Sequence, residues 1–183
     1  MDKKIILGFV GEMASGKGTI AEYLKEKYNA SSHRFSTMLR DVADRLYIEK
    51  NRENLQRLST VLRENFSQDL MSKVLAKDVD NDKNNVIVVD GVRRFSDITY
   101  LKKINNFKLV YVTADIKKRY ERLLKRTENT DDQLKSFEEF KNDHKQEAEI
   151  EIVEVGTKAD FKINNDGSFK ELYDQIEEIL KKA

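Results

Sequence analysis

A glycine-rich turn near the N-terminus is the feature that most constrains how this chain folds. Four of its seven glycines lie within residues 8–18, after the apolar run Ile5-Ile6-Leu7 and before a stretch with helical spacing. The segment Gly11-Glu12-Met13-Ala14-Ser15-Gly16-Lys17-Gly18-Thr19 contains G-x-x-x-x-G-K, the spacing of a phosphate-binding loop between a strand and a helix. Such a loop turns backbone N–H groups and a helix N-terminus towards polyphosphate. The sequence therefore predicts that residues 11–19 bind ATP or a similar triphosphate.

The composition excludes several other classes of protein. The 183 residues suit one domain, and 34 basic against 33 acidic residues argue against a polybasic nucleic-acid-binding protein. The absence of cysteine excludes disulfides and Cys-ligated zinc, and two histidines are too few for a His-based metal site. No apolar run approaches the roughly 18 residues that a membrane span needs, and no signal peptide is visible. We expect a cytoplasmic protein without nucleic-acid or membrane partners.

Short β-rich runs alternate with longer helical patterns along the chain, and this alternation predicts an α/β fold with a parallel sheet. Two of the runs, Ile5-Ile6-Leu7 and Val86-Ile87-Val88-Val89, are continuously apolar, as in strands that are covered on both faces. Capping boxes at Ser168-x-x-Glu171 and Ser136-x-x-Glu139 predict the starts of a last helix and of a polar helix over about 137–149. The predicted strands are Lys4–Val10, His33–Phe35, Val86–Asp90, Lys108–Thr113 and Phe161–Asn164.

A long helical insert over about residues 37–80 follows the second predicted strand. It carries five arginines, Arg40, Arg45, Arg52, Arg57 and Arg63, whose guanidinium groups suit an anionic ligand. The alternative for each arginine taken alone is a solvated helix face. We therefore expect one domain, with residues 37–80 as an arm on it.

The chemistry of phosphoryl transfer singles out further residues. Transfer requires two aligned substrates, excluded water and positive charge around the moving group, and Lys17 suits the β- and γ-phosphates. Many phosphate loops carry the Mg²⁺-binding hydroxyl directly after the lysine; here Gly18 intervenes, so Thr19 is the candidate. Asp90, at the end of a buried strand, is the second candidate for Mg²⁺, in part through water. Arg93 and Arg94 follow it, at the end of a strand where ligands bind in open α/β sheets.

In these residues the chain resembles the P-loop nucleoside monophosphate kinases, and adenylate kinase above all. The similarity rests on residues 11–19, Phe35-Ser36-Thr37-Met38-Leu39-Arg40, Asp90-Gly91-Val92-Arg93-Arg94 and Arg122-Leu123-Leu124-Lys125-Arg126. From residue 4 to about 180 the chain is more closely similar to small P-loop kinases related to adenylate kinase or dephospho-CoA kinase. This resemblance implies a three-layer αβα fold with five parallel strands in the order 2-3-1-4-5.

The resemblance also implies roles for single residues. Arg40, Arg63, Arg93 and Arg94 are expected to bind the acceptor phosphate, and Arg122 to lie by the donor base. Lys17, Arg93 and Arg126 are the expected catalytic cations. Residues 37–80 are the expected acceptor-binding arm, and residues 127–146 are the expected lid. The implied reaction moves the γ-phosphate of Mg²⁺-bound ATP to a nucleoside monophosphate or a similar small phosphorylated acceptor.

The chain departs from the family pattern at several positions. Met13 and Ala14 replace the usual Pro and Gly of related loops, so Ala14 needs a backbone conformation that a Cβ tolerates. Asn142 stands where the lid helix of the closer group carries arginine, which removes a charge expected near the moving phosphoryl group.

Two other functions remain open at this point. An ATPase or nucleotide-dependent switch acting on a macromolecule would use the same loop, and Asn142 favours it. Thr157-Lys158-Ala159-Asp160 superficially resembles the guanine-reading element of GTPases, but no D-x-x-G motif follows the third strand. Product formation across a panel of monophosphates separates these functions.

Overall fold

The computed structural model describes residues 4–125, 133, 135–143 and 147–183. It contains a five-stranded parallel sheet with the strand order β2-β3-β1-β4-β5. Both the predicted αβα class and the predicted strand order are confirmed. The strands are β1 (Ile5–Val10), β2 (Ser31–Arg34), β3 (Val86–Val92), β4 (Phe107–Thr113) and β5 (Phe161–Asn164).

The helices cover both faces of the sheet. Of the predicted polar helix over 137–149, the structure describes helix over Phe137–Asp143 and again from Glu147, and residues 144–146 lie outside the described residues. The helices are α1 (Lys17–Tyr28), α2 (Phe35–Arg45), α3 (Arg52–Asn65), α4 (Leu70–Asn81), α5 (Phe95–Ile98), α6 (Ile116–Leu124), α7 (Phe137–Asp143), α8 (Glu147–Gly156) and α9 (Phe169–Lys182), with a 3₁₀ helix at Leu101–Lys103.

Alternate residues of the buried strands form two hydrophobic cores. Ile6 and Val10 of β1 face a core with α2, α3, α4 and α8, whereas Leu7 and Phe9 face a core with α1 and α9. Because both faces are covered, the runs Ile5-Ile6-Leu7 of β1 and Val86-Ile87-Val88-Val89 of β3 are apolar without interruption and buried, as the sequence predicted. The carboxyl ends of the strands therefore form the sheet edge at which a ligand site is expected.

The insert that follows β2 is only partly an arm. It folds as α2, α3 and α4, and the buried side chains of Met71, Leu75 and Val79 make α4 part of one core. The role of the insert in acceptor binding stays a prediction.

Of the predicted lid over 127–146, the structure describes residues 133 and 135–143, where α7 packs against α6. The centroid of the Tyr120 ring lies 5.2 Å from that of Phe137 and 5.6 Å from that of Phe140. Among the described residues, no helix has the length and apolar character needed to cross a membrane.

A polar cluster joins the first helix to the last. Glu177 of α9 accepts hydrogen bonds from Tyr23 and Tyr28, both at 2.6 Å, and from Lys27 at 2.8 Å. Partial burial of the carboxylate opposes its charge, but these three donors outweigh it and lower the pKa of Glu177 to about 2 from its ordinary value of 4.5. The carboxylate therefore stabilises the fold in its charged form.

We predict that Glu177→Gln lowers the free energy of unfolding at pH 7 by about 1–3 kcal/mol. The folded-state pKa lies below the unfolded one, so the stabilisation is present above pH 4.5 and is lost as the pH falls towards 2. Urea denaturation at pH 7, 5 and 3 should show the difference between variant and wild type shrinking with acidity. Glu178→Gln is the matched control, since Glu178 makes only an exposed pair with Lys182. A deficit independent of pH would contradict the assigned pKa.

Candidate active site

The loop between β1 and α1 has the backbone geometry that its glycines allow. Gly16 has a φ of 109°, and a Cβ there would lie 2.1 Å from Nδ2 of Asn165. At Gly11 a Cβ would lie 2.2 Å from the carbonyl oxygen of Val112. Ala14 occupies the left-handed region with a φ of 59°, which a residue with a Cβ tolerates at a cost of roughly 1–2 kcal/mol. The expectation that Ala14 adopts an accessible conformation is thus met, with some strain.

Lys17 lies over the loop at the start of α1. Its ammonium group donates to the carbonyl oxygens of Gly11 at 2.5 Å and Glu12 at 3.1 Å. These contacts keep the positive charge at the concave face of the loop, beside the N-terminus of α1. An ammonium group and a helix N-terminus together favour an anion at this position.

Two side chains that the sequence analysis missed hold the loop from elsewhere in the fold. Asn165, after β5, is buried and donates through Nδ2 to the carbonyl oxygen of Ser15 at 2.8 Å. Arg119 of α6, 5% exposed, donates to the carbonyl oxygens of Met13 at 3.4 Å and Ala114 at 3.0 Å. The sequence carries no signal for the contacts of Asn165 with Ser15 and of Arg119 with Met13, because each joins residues more than 100 positions apart.

The side chain of Glu12 belongs to this support. Its carboxylate lies 3.6 Å from Nη2 of Arg119 and accepts a hydrogen bond from the Tyr111 hydroxyl at 3.2 Å. Burial and the neighbouring Glu12 charge raise the pKa of Tyr111, so the hydroxyl stays protonated as the donor. The carboxylate of Glu12 is thus engaged with Arg119 and Tyr111, and only the backbone of Glu12 remains predicted to contact ATP.

A cavity of about 560 Å³ opens beside the loop. It contains the last six of the nine loop residues predicted to bind ATP, but not Gly11, Glu12 or Met13. Of the other predicted site residues, Asp90 and Arg122 line it. The full lining is Ala14, Ser15, Gly16, Lys17, Gly18, Thr19, Arg34, Asp90, Arg122, Asn165, Gly167, Ser168 and Phe169.

Asp90 meets an arginine from the neighbouring strand. Arg34 of β2 is the register partner of Asp90, and its Nε and Nη2 both lie 2.8 Å from Oδ2 of the carboxylate. Asp90 is 6% exposed, so this pair places a charged acid and a base at the cavity wall. Arg34 lies within the predicted strand 33–35, but its pairing with Asp90 at the site follows only from the β2–β3 register.

The far wall of the cavity combines a guanidinium with an aromatic ring. Arg122 donates through Nη2 to the carbonyl oxygen of Asn165 at 2.7 Å, whereas its buried Nη1 has no hydrogen-bond partner among the described residues. Phe169 is 69% exposed and stacks loosely on Tyr173, with ring centroids 6.2 Å apart. A planar group and an unused donor on one wall suit a flat, polar ligand.

The remaining predicted arginines do not line the cavity. Arg40 and Arg93 are exposed, and Arg94 lies 3.9 Å from Glu151. Arg63 is buried, with its Nη2 2.6 Å from Oδ1 of Asp97, and it does not line the cavity. We therefore leave Arg63 out of the acceptor set. Arg126 lies outside the described residues, and Asn142 is exposed on α7.

The residues present fit Mg²⁺ held mainly by phosphate. Thr19 and Asp90 offer a hydroxyl and a carboxylate at the cavity, and Mg²⁺ commonly takes one or two protein oxygens together with water and substrate phosphates. Within the described ranges, no three His, Cys, Asp or Glu side chains cluster as a metal cage would require. Both contacts from Arg34 fall on one oxygen of Asp90.

Comparison with known proteins agrees with this geometry. A family model described as an AAA domain matches residues 10–141. A UPF0200 protein of Sulfurisphaera tokodaii is 33% identical over 97% of this chain and 96% of its own length, and one of Pyrococcus abyssi is 30% identical over 97% and 96%.

Solved structures extend the comparison to the fold. The shikimate kinase of Bacteroides thetaiotaomicron superposes with a TM-score of 0.65 over 97% of both chains, at 15% identity. That of Aquifex aeolicus gives 0.57 over 97% and 96%, at 18% identity. The resemblance to P-loop kinases predicted from the sequence is confirmed at the level of the fold.

The close contact at Gly16 predicts opposite outcomes for two neighbouring glycines. Gly16→Ala should lower the free energy of unfolding by more than about 2 kcal/mol, because its Cβ would displace Asn165 from Ser15. Gly18→Ala is the matched control: no atom lies within 4 Å of its Cβ, and alanine in α1 should raise stability by about 0.4–1 kcal/mol. Urea denaturation without nucleotide measures both. Equal effects would contradict the loop geometry.

Proposed function

Because the chain belongs to the UPF0200 family and to the AAA domain family, and has the fold of P-loop kinases, we propose that it transfers the γ-phosphate of ATP to a nucleoside monophosphate or a similar small phosphorylated acceptor. The observation that carries the proposal is the cavity itself. The phosphate loop bounds it on one side, and Asp90 and Arg34, from the two neighbouring strands, bound it on another. A γ-phosphate on the loop would thus face a second charged wall.

The loop and α1 form the donor half of the proposed site. Residues 14–19 would surround the β- and γ-phosphates with N–H groups, and Lys17 would exchange its two carbonyl contacts for phosphate oxygens. Arg122 and the exposed ring of Phe169 would hold the adenine between a guanidinium and an aromatic face. This arrangement supports ATP as the donor.

Asp90 and Thr19 would hold Mg²⁺, which when bound neutralises charge on the β- and γ-phosphates. Asp90 would have to give up part of its pair with Arg34 as the nucleotide binds. The released guanidinium of Arg34 would then lie between donor and acceptor.

Arg40, Arg93 and Arg94 remain the proposed acceptor residues, and Arg126 a proposed catalytic cation. The resemblance to nucleoside monophosphate kinases supports all four. The position of Arg93 and Arg94 after β3, beside Asp90, supports these two independently. Guanidinium groups suit phosphate oxygens because two parallel N–H bonds match their geometry.

The reaction needs alignment and charge more than covalent help from the protein. An oxygen of the acceptor phosphate forms a bond to the γ-phosphorus, while the bond from that phosphorus to the β–γ bridging oxygen breaks, and ADP departs. Lys17 and the arginines would stabilise the charge on the equatorial oxygens during this step. Exclusion of water would favour transfer over hydrolysis.

The test is product formation with Mg²⁺-ATP and a panel of acceptors: AMP, GMP, CMP, UMP, dTMP and dephospho-CoA, with shikimate added because two structural neighbours are shikimate kinases. We expect a phosphorylated product from at least one phosphate-bearing acceptor. Transfer to shikimate alone would contradict the phosphorylated class. ATP hydrolysis that no acceptor alters would favour the alternative, an ATPase or switch acting on a macromolecule.

Two substitutions should separate the halves of the site. Lys17→Ala should lower kcat at least about 100-fold, because the γ-phosphate loses the cation that stabilises its charge.

Arg93→Ala should raise the KM of the acceptor about tenfold or more and leave the KM of ATP within about twofold. Lys181→Ala, which removes an exposed cation near the end of α9, is the control and should change neither constant. An equal rise of both constants in Arg93→Ala would place Arg93 outside the acceptor half.

A further inference from the structure

Arg63 and Asp97 form a buried ion pair beneath the segment that follows β3. Nη2 of Arg63 lies 2.6 Å from Oδ1 of Asp97, and the two side chains are 7% and 4% exposed. The other carboxylate oxygen, Oδ2, accepts the backbone N–H groups of Arg93 at 2.9 Å and Arg94 at 3.0 Å. One buried carboxylate thus connects a guanidinium on α3 with the backbone of two arginines assigned to the acceptor.

Arg63 is itself fixed from several elements. Its Nη1 donates to the carbonyl oxygen of Gln68 at 2.6 Å and to the hydroxyl of Ser96 at 3.2 Å, and its Nε to Ser59 at 3.4 Å. The guanidinium therefore joins α3, the α3–α4 connection and α5. Four of its five N–H groups are used in this way, so the planar group holds Asp97 in one orientation, and its burial keeps it away from a substrate.

The backbone between β3 and α5 has little freedom under this pair. Gly91 turns the chain with a φ of 87°, Val92 is buried in the core, and the next two N–H groups both meet Oδ2 of Asp97. The side chain of Arg93 nonetheless extends from this segment into solvent, since Arg93 is exposed. When the backbone is fixed, the guanidinium of Arg93 can occupy fewer positions than it could on a flexible segment, so binding of a ligand costs less entropy.

We propose that Arg63 and Asp97 are positioning residues, which set the backbone from which Arg93 binds the acceptor phosphate. The inference rests on the proposed function, because Arg93 needs an acceptor to bind. It replaces the role predicted for Arg63 from the sequence: this arginine acts on the acceptor through Asp97 and Arg93, without touching it.

The test is a double-mutant cycle with the panel acceptor of highest turnover. Asp97→Asn keeps the shape of the side chain but removes the charge that pairs with Arg63. We expect it to raise the KM of the acceptor about tenfold, with the KM of ATP within about twofold. When Arg93 is already alanine, Asp97→Asn should raise the KM of the acceptor by less than about twofold, because the residue through which Asp97 acts is gone.

A matched control separates positioning from general support. Ser72 of α4 is fully buried and accepts the N–H of Tyr100 at 3.0 Å, so it also joins the insert to the chain after β3. Ser72→Ala should leave the KM of the acceptor within about twofold. If Asp97→Asn does not fold, Arg63→Gln with Asp97→Asn removes both charges while keeping a hydrogen-bonding pair, and should show the same rise in KM.

Amide hydrogen exchange gives a readout that does not need turnover. Asp97→Asn should speed exchange at the N–H groups of Arg93 and Arg94 at least about tenfold and leave exchange at the amides of β3 unchanged. Ser72→Ala should leave the exchange rates of Arg93 and Arg94 unchanged. Unchanged exchange at these two amides would overturn the proposal, as would an acceptor KM that rises equally with and without Arg93. A wild-type protein that turns over no acceptor would instead overturn the proposed function, and with it the role of Arg93.

Discussion

The phosphate loop depends on donors that bind its carbonyl groups from other parts of the fold. Arg119 binds the carbonyl oxygen of Met13, and Asn165 binds that of Ser15. A tight loop has few internal partners, so its carbonyls would otherwise be left without hydrogen bonds near the core. With its carbonyl groups satisfied in this way, the loop can turn N–H groups towards a ligand.

The same arrangement explains why the site lies where it does. Parallel strands bring the ends of β1, β2 and β3 to one edge, so the loop, Arg34 and Asp90 meet although they are far apart in sequence. The Arg34–Asp90 pair balances charge at the cavity wall while no phosphate is bound. Under the proposed function, negative phosphate and Mg²⁺ would compete for opposite members of this pair, and this competition would link nucleotide binding to the acceptor side.

The sequence was sufficient for the features that depend on local pattern. The apolar runs, the glycine spacing and the capping boxes define β1, α1, β3 and α9, and the resemblance supplied the strand order. The roles of Arg34, Arg119, Asn165 and Asp97 depend on partners that only the tertiary fold brings near. Arg63 illustrates why the sequence is insufficient here. The same helical pattern fits an arginine that contacts a substrate and one that contacts a buried acid 34 residues away.

Two buried arginines support the two halves of the candidate site in a similar way. Arg119 lies beneath the phosphate loop with Glu12, and Arg63 lies beneath the Arg93–Arg94 segment with Asp97. A buried ion pair adds little net stability, since desolvation of both charges offsets their attraction, but loss of one partner costs about 3–5 kcal/mol. Such a pair therefore stabilises one arrangement of the neighbouring backbone more than it stabilises the folded state.

Lysine would serve less well than arginine in either place, because its single ammonium group lacks the planar fork that binds a carboxylate and neighbouring carbonyls at fixed angles. Under the proposed function, the buried guanidinium groups of Arg119 and Arg63 would hold the backbone segments that bind the two substrates, while other cations would bind the phosphates themselves.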